Sequence, residues 1–146
     1  MYKEVLVPLD GSEIAATVLE QVITLARASG ARVHLLTVGV PSPAALDEAY
    51  DIQLTRTFQA EAYLHKTRVA LESQGLQVTT TVCIGDPACE ILQLAEQRGM
   101  DLIIINSRGG GGTPCPFWGS VAEKVASAAS VPVLIFHPQP TEGPTV

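Results

Sequence analysis

Five strand-sized apolar runs, each parted from the next by a stretch with helical spacing, most narrow what this chain can fold into. The first spans residues 3–9, where Val5, Leu6, Val7 and Leu9 are apolar and Pro8 stands near the end. A proline suits a strand terminus, since it cannot donate to a ladder from a strand centre. The second run covers 32–38 and is broken by 39–43; the third covers 76–84, the fourth 101–106 and the fifth 131–137. Runs such as Leu102-Ile103-Ile104-Ile105 are continuous rather than alternating, the pattern of strands buried on both faces of a parallel sheet. In the third run Val78, Thr80 and Val82 alternate with Gln77, Thr79 and Thr81, which predicts a sheet edge with one more solvated face.

The segments between these runs carry helix chemistry. Asp10-Gly11-Ser12 is a turn with Ser12 as N-cap, and 13–29 brings Ile14, Val18, Val22, Leu25 and Ala26 to one face before Gly30. A long helix is expected from about 46 to 73, with Leu46, Tyr50, Leu54, Phe58, Ala62, His65 and Val69 as its inward stripe. His65 on that stripe reads as a packed core histidine rather than a ligand. Gly75 ends that helix. Gly85-Asp86-Pro87 then opens a third, with Asp86 as cap and Pro87 in first place, and Ala88, Ile91, Leu92 and Ala95 facing inward. Gly99 closes it. A fourth is expected from about 119 to 129, with Val121, Val125 and Ala128 inward.

Strands alternating with helices imply parallel pairing through right-handed crossovers. The fold class is therefore α/β, a five-stranded parallel doubly wound sheet. Such sheets take ligands beyond the carboxyl ends of their strands, where strand order reverses. With the first strand between the second and the fourth, that point lies between Asp10 and Asn106. One domain, 1–138, accounts for the pattern, and 139–146, rich in proline, is expected to be a fraying tail.

Composition removes several function classes. Of the 146 residues 47% are hydrophobic and 16% charged, so the chain is not disordered. No apolar run approaches the ~18 residues of a bilayer span, and the start shows no signal peptide; the expectation is a cytoplasmic protein with no membrane partner. A net charge of −6 without a basic cluster argues against nucleic acid. Cys83, Cys89 and Cys115 form no Cys-x-x-Cys pair and read as reduced, mostly buried thiols. His34, His65 and His137 make no metal-ligand spacing, so no metal site is expected.

The chemistry concentrates in the loop after the fourth run. It holds Arg108, four consecutive glycines from Gly109 to Gly112, and then Gly119-Ser120 where a helix is expected to begin. Consecutive glycines let backbone N–H groups approach an anion, and a helix N-terminus adds donors and partial positive charge. Arg108 supplies charge and Ser120 a hydroxyl. A flexible linker is the plainer reading of four glycines, and Ser120 is also a good N-cap in its own right. The phosphate-loop lysine motif, the dinucleotide fingerprint after the first strand and the Gly-x-Ser-x-Gly elbow are all missing.

Gly109, nine residues, then Gly119-Ser120, set between a buried strand and a helix reading Gly-Ser-Val-Ala-Glu-Lys-Val, resembles the universal stress protein family. That family's motif is Gly-x-x-Gly-x9-Gly-Ser/Thr. Val5-Leu6-Val7-Pro8-Leu9-Asp10-Gly11-Ser12, Gly85-Asp86-Pro87 and the last two apolar runs match it as well, so the resemblance covers nearly the whole chain. It implies a Rossmann-like sheet of the adenine nucleotide alpha hydrolase type, in the order 3-2-1-4-5. It also implies an adenine nucleotide, ATP, ADP or AMP, with Mg2+ if a triphosphate. Asp10 would take the ribose hydroxyls; Pro8, Leu9 and Val38 would line the adenine; Ile105 would meet the nucleoside. Gly109, Gly119, Ser120 and the Val121 amide would hold phosphate, with Arg108 beside them. Asn106 stands where the motif has its first glycine, and its side chain either fills space the ribose or phosphate needs or donates a hydrogen bond to them. The resemblance further implies a homodimer through the last strand, from Val131 to His137, and a regulatory role in stress response with an unidentified protein partner. A nucleotide-free interaction protein and a slow ATP hydrolase are the alternatives. No catalytic base supports the hydrolase, since Glu123 lies in the helix and Asp10 is better placed for ribose.

Overall fold

The structure, a computed structural model, describes residues 2–10, 15–39, 46–107 and 116–136, with side chains at 2–10, 18–39, 57–107 and 121–136. Five strands, β1 (Glu4–Pro8), β2 (Arg32–Gly39), β3 (Val78–Ile84), β4 (Leu102–Asn106) and β5 (Val133–Phe136), alternate with four helices. The helices are α1 (Ala15–Ser29), α2 (Leu46–Glu72), α3 (Pro87–Gln97) and α4 (Pro116–Ala128). All four strand pairs are parallel and the order is β3-β2-β1-β4-β5, as expected, so strand order reverses between β1 and β4.

Side chains alternate across the sheet and feed two cores. Val5, Val7, Leu9, Val33, Leu35 and Ile104 pack with Val18, Val22 and Ala26 of α1 and Leu64 and Leu71 of α2. Leu6, Leu36, Val38, Ile103 and Ile105 pack on the opposite face with Ala88, Ile91 and Ala95 of α3 and Val121, Ala122 and Val125 of α4. Fully burying one such side chain contributes about 1.5–3 kcal/mol, which is why the central runs are mostly apolar. β3 is an edge, and only Val78 of it is fully buried.

Local chemistry ends the helices where the sequence suggests. Gly30, at φ 71, supplies the left-handed turn after α1, and its N–H reaches Ala26 O at 2.8 Å. Asp86 caps α3 by accepting from Cys89 N at 3.0 Å, with Pro87 in the first turn. Ser12 and Ile14 lie outside the residues whose side chains are described, as does the segment 137–146.

Three expectations need correction. The inward face of α2 is not the stripe through Phe58, Ala62, His65 and Val69: all four are exposed, Phe58 by 62% and Val69 by 52%. Leu64, Thr67 and Leu71 face the sheet instead, and nine residues from Phe58 to Thr67 is about 180° around a helix. Thr67 disguised that face. Its hydroxyl is satisfied within the helix by Tyr63 O at 2.9 Å, so it is buried without an orphan polar group. Leu46, Tyr50 and Leu54 have no described side chains. Second, α4 begins at Pro116 rather than Gly119, because a proline's fixed φ and missing N–H suit a first helical position; Ala128, expected inward, is exposed. Third, Cys89 is exposed at the start of α3 and Cys83 only partly buried, so neither is a core residue.

Candidate functional site

Three strands end together at the β1–β4 switch point. Leu9 N donates to Leu36 O at 2.7 Å, which carries the β1–β2 ladder one residue past Pro8 and fixes where Asp10 leaves the sheet. Pro8 is buried, Leu9 is 1% exposed and Asp10 is half-buried at the mouth. On β2, Val38 is buried against the α3–α4 face. On β4, Ile105 and Asn106 are buried; Asn106 pairs with Phe136, and Ser107 N continues that ladder to Phe136 O at 2.9 Å.

Val38, Ile105 and Val121 lie in one apolar cluster although they come from β2, β4 and α4. Pro8 alternates onto the same face of β1 as Leu6. The structure thus gathers Val38, Ile105 and Val121 into an apolar wall under the carboxyl ends, with Pro8 on the same face of the sheet; Asp10 leaves β1 just past Leu9, and Asn106, one residue on from Ile105, alternates to the α1–α2 face. Arg108 and Gly109 fall outside the described residues, as do Gly110–Gly112 and Cys115. Gly119 and Ser120 lie in α4, but as its fourth and fifth residues, so Ser120 is not the N-cap. The first four N–H groups of a helix have no intrahelical partner. With proline in first place, the amides of α4 left for an anion here are those of Phe117 and Trp118.

Sequence reasoning missed one neighbour of this site, Tyr63, and placed another, Thr37, at the end of the second run beside Val38 without seeing what its hydroxyl lacks. Tyr63, on α2, packs half-buried against the α1–α2 core. Its phenol is pushed above the usual tyrosine range, first by burial and then by the Asp10 carboxylate, which places the two groups within each other's field. Thr37, one residue before Val38, is 9% exposed, and its Oγ1 has no hydrogen-bond partner among the described residues. Only a correct phase for α2 would have flagged Tyr63, and residue order gives no sign that the Thr37 hydroxyl lacks a partner.

The turn after β3 closes on itself. Gly85 N donates to Gly39 O at 2.9 Å. Burial, and after it Glu90, pushes the Cys83 thiol up to about 11. Asp86 raises the Cys89 thiol through a hydrogen bond, and its own carboxyl is held low mainly by the Cys89 N–H. No group of three or more His, Cys, Asp or Glu among the described residues could hold a metal ion. No helix is long and apolar enough to cross a membrane, among the described residues.

The sequence profile of the universal stress protein family matches residues 1–137. The chain is 31% identical over 146 residues to universal stress protein YxiE of Bacillus subtilis, covering 92% of this chain and 99% of that one. The solved structure of MJ0577, a universal stress protein of Methanocaldococcus jannaschii, superposes with a TM-score of 0.80 at 28% identity, covering 97% and 99% of the two chains. Two further structures share the fold at lower identity. A universal stress protein in complex with cAMP has a TM-score of 0.73 at 22% identity, covering 94% of this chain and 99% of that one. The Archaeoglobus fulgidus protein in complex with dAMP has a TM-score of 0.68 at 21% identity, covering 92% and 97%.

Proposed function

Because the chain belongs to the universal stress protein family, we propose that it binds an adenine nucleotide at the carboxyl ends of β1, β2 and β4 and acts as a nucleotide-dependent regulator. The observation that carries this reading is the convergence of Val38, Ile105 and Val121 into one apolar wall beside Asp10. An adenine ring needs an apolar floor and a backbone edge to read; Pro8, Leu9 and Val38 offer both. A ribose needs an acceptor for its hydroxyls, and Asp10 at the mouth supplies it. Phosphate would lie toward Arg108, Gly109, Gly119, Ser120, Val121 and the open amides of the first turn of α4. That two proteins of this fold hold cAMP and dAMP supports the choice of nucleotide.

The residues fit a nucleoside monophosphate better than a triphosphate. No lysine or arginine follows Arg108 before Lys124, so little positive charge meets the β- and γ-phosphates, and Mg2+ would have to accompany ATP. Equilibrium dialysis with ATP, ADP and AMP tests this: AMP or ADP should bind at micromolar concentration. Absence of binding for all three at millimolar nucleotide would overturn it.

Asn106 favours a second reading, a nucleotide-free interaction protein, because a buried amide stands at the motif's first glycine. Asn106→Gly distinguishes them. Binding gained only in the variant supports the second reading. In both readings the β5 edge, where Leu134 is 43% exposed, pairs with its counterpart in a homodimer. Light scattering at micromolar protein should give twice the monomer mass.

A further inference from the structure

Thr37 sits where an apolar residue would cost nothing. Its strand neighbours Leu35, Leu36 and Val38 are all buried and apolar, and Thr37 itself is more than nine-tenths buried. Among the described residues Thr37 Oγ1 is the one buried side-chain polar atom without a hydrogen-bond partner. A buried hydroxyl left unmade carries its full desolvation cost, whereas an apolar residue of the same shape carries none. Such an atom is expected to find its partner in an ordered water or in something else the folded chain binds.

The register places the hydroxyl. Val33 and Leu35 face the α1–α2 core, and Leu36 and Val38 face the opposite one, so Thr37 faces α1 and α2. On one side of it in the sheet Leu9, which directly precedes Asp10, belongs to the same core; on the other Val82 pairs with it and packs there too. Tyr63 packs on that core from α2 and feels the Asp10 charge. Thr37 and Tyr63 therefore both lie on the α1–α2 side of the sheet, and Asp10 follows Leu9 at the strand end beside Thr37, a polar corner across the sheet from the Val38–Ile105–Val121 wall. The wall suits the base; the polar corner suits the sugar.

We infer that the Thr37 hydroxyl is a specificity-determining element of the ribose pocket, completed by a ribose hydroxyl of the bound nucleotide. The inference rests on the nucleotide reading above. It makes Thr37 a partner of Asp10: the carboxylate only accepts, while the threonine hydroxyl both donates and accepts. A vicinal diol presents two donors and four acceptor lone pairs, more than one carboxylate satisfies. The pair distinguishes ribose from a sugar lacking the hydroxyl that Thr37 meets.

Calorimetric titration of the full chain with AMP, 2′-deoxy-AMP and 3′-deoxy-AMP, for the parent, Thr37→Val and Thr37→Ser, tests it. Thr37→Val should weaken AMP by about three- to tenfold, the loss of one hydrogen bond, and Thr37→Ser should retain most of the affinity. One deoxy analogue should bind the parent more weakly by that same factor and show no further loss with Thr37→Val. Without nucleotide, Thr37→Val should melt at or above the parent temperature. Unchanged AMP affinity in Thr37→Val overturns the inference while leaving the nucleotide reading intact. So does an equal loss for AMP and both deoxy analogues, which moves the contact off the ribose, or a ligand-free melting point several degrees lower, which assigns the hydroxyl to the fold. A parent that binds no AMP at millimolar concentration removes the nucleotide reading and this inference with it.

Discussion

At the amino ends of the strands polar groups answer one another, while at the carboxyl ends of β1 and β2 a buried hydroxyl is left over. Asp101 accepts from Lys3 N at 2.8 Å and Glu4 N at 2.9 Å, tying the entry to β4 onto β1. Glu4 takes His34 Nε2 at 2.5 Å and Arg32 Nε at 3.3 Å, and Thr79 Oγ1 completes the line at 2.6 Å from His34 Nδ1. An ionised carboxylate only accepts, so Nε2 donates to Glu4, and Nδ1 on the other side of the ring meets the Thr79 hydroxyl. This network crosses β1, β2 and β3 with every ring nitrogen satisfied. At the other end, Thr37 Oγ1 has no partner among the described residues and Tyr63 lies in the field of Asp10. The difference teaches where the fold holds itself together and where it is built to hold something else.

The largest expected effect tests the carboxyl end. Asp10→Ala should weaken AMP by about 10- to 100-fold, since hydrogen bonds to a charged group contribute about 1.5–3 kcal/mol. It should also lower the Tyr63 phenol toward its ordinary value, because a negative neighbour is gone. Calorimetry reads the first and ultraviolet titration the second. Unaltered AMP affinity would mean that the two ends do not divide the labour as described.

Next comes the amino end. His34→Ala strips Thr79 and Glu4 of their shared partner in a place 13% exposed. The cost should be about 1–2 kcal/mol, a melting point lower by roughly 2–8 °C for a chain of this size. AMP affinity should stay at the parent value. A His34→Ala protein that melts normally but binds nucleotide poorly would reverse the comparison.

These predictions rest on features of unequal legibility. The sheet could be read because five apolar runs at strand length leave few alternatives, and Pro8, Gly30 and Asp86-Pro87 punctuate them where the backbone requires. The edge position of β3 showed in its threonines. The face of α2 did not, because Thr67 and Tyr63 make the inward stripe look polar while Phe58 and Val69 make the outward one look apolar. The start of α4 was misplaced for a related reason: Gly119-Ser120 has cap chemistry, but Pro116 begins the helix earlier. Thr37 could be placed at the strand end beside Val38, but its significance could not be read, since that lies in a missing partner, a property of packing rather than of residue order.

Acid sharpens the comparison with a smaller effect. The Asp101 carboxyl is held below the ordinary 3.8, first by the Lys3 N–H and then by the Glu4 N–H. A carboxyl lowered on folding stabilises the folded state above its unfolded value and loses that contribution as pH falls through the folded one. The melting temperature should therefore drop below about pH 4. Asp101→Asn should melt lower at neutral pH and show a shallower acid drop. Asp86, lowered by the Cys89 N–H, behaves the same way. Asp86→Asn should lose less than Asp101→Asn, because asparagine still caps α3. A larger loss at Asp86 would place the stronger anchor at the carboxyl end.

The smallest effect marks where the candidate site stops. At β3 the carboxyl end resembles the amino ends: Gly85 bonds Gly39, Asp86 caps α3, and Glu90 hydrogen-bonds the Cys83 thiol. The Cys83 thiol, raised to about 11, stays protonated at pH 8, so labelling by a disulfide reagent should be slow. Glu90→Gln removes the charge and brings that thiol down. Because burial rather than Glu90 is the larger cause, the labelling rate followed by peptide mapping should rise by no more than about tenfold. AMP affinity should not move. If Glu90→Gln weakens AMP instead, the pocket extends past β2 onto β3, and the self-satisfied turn after β3 belongs to the site rather than to its border.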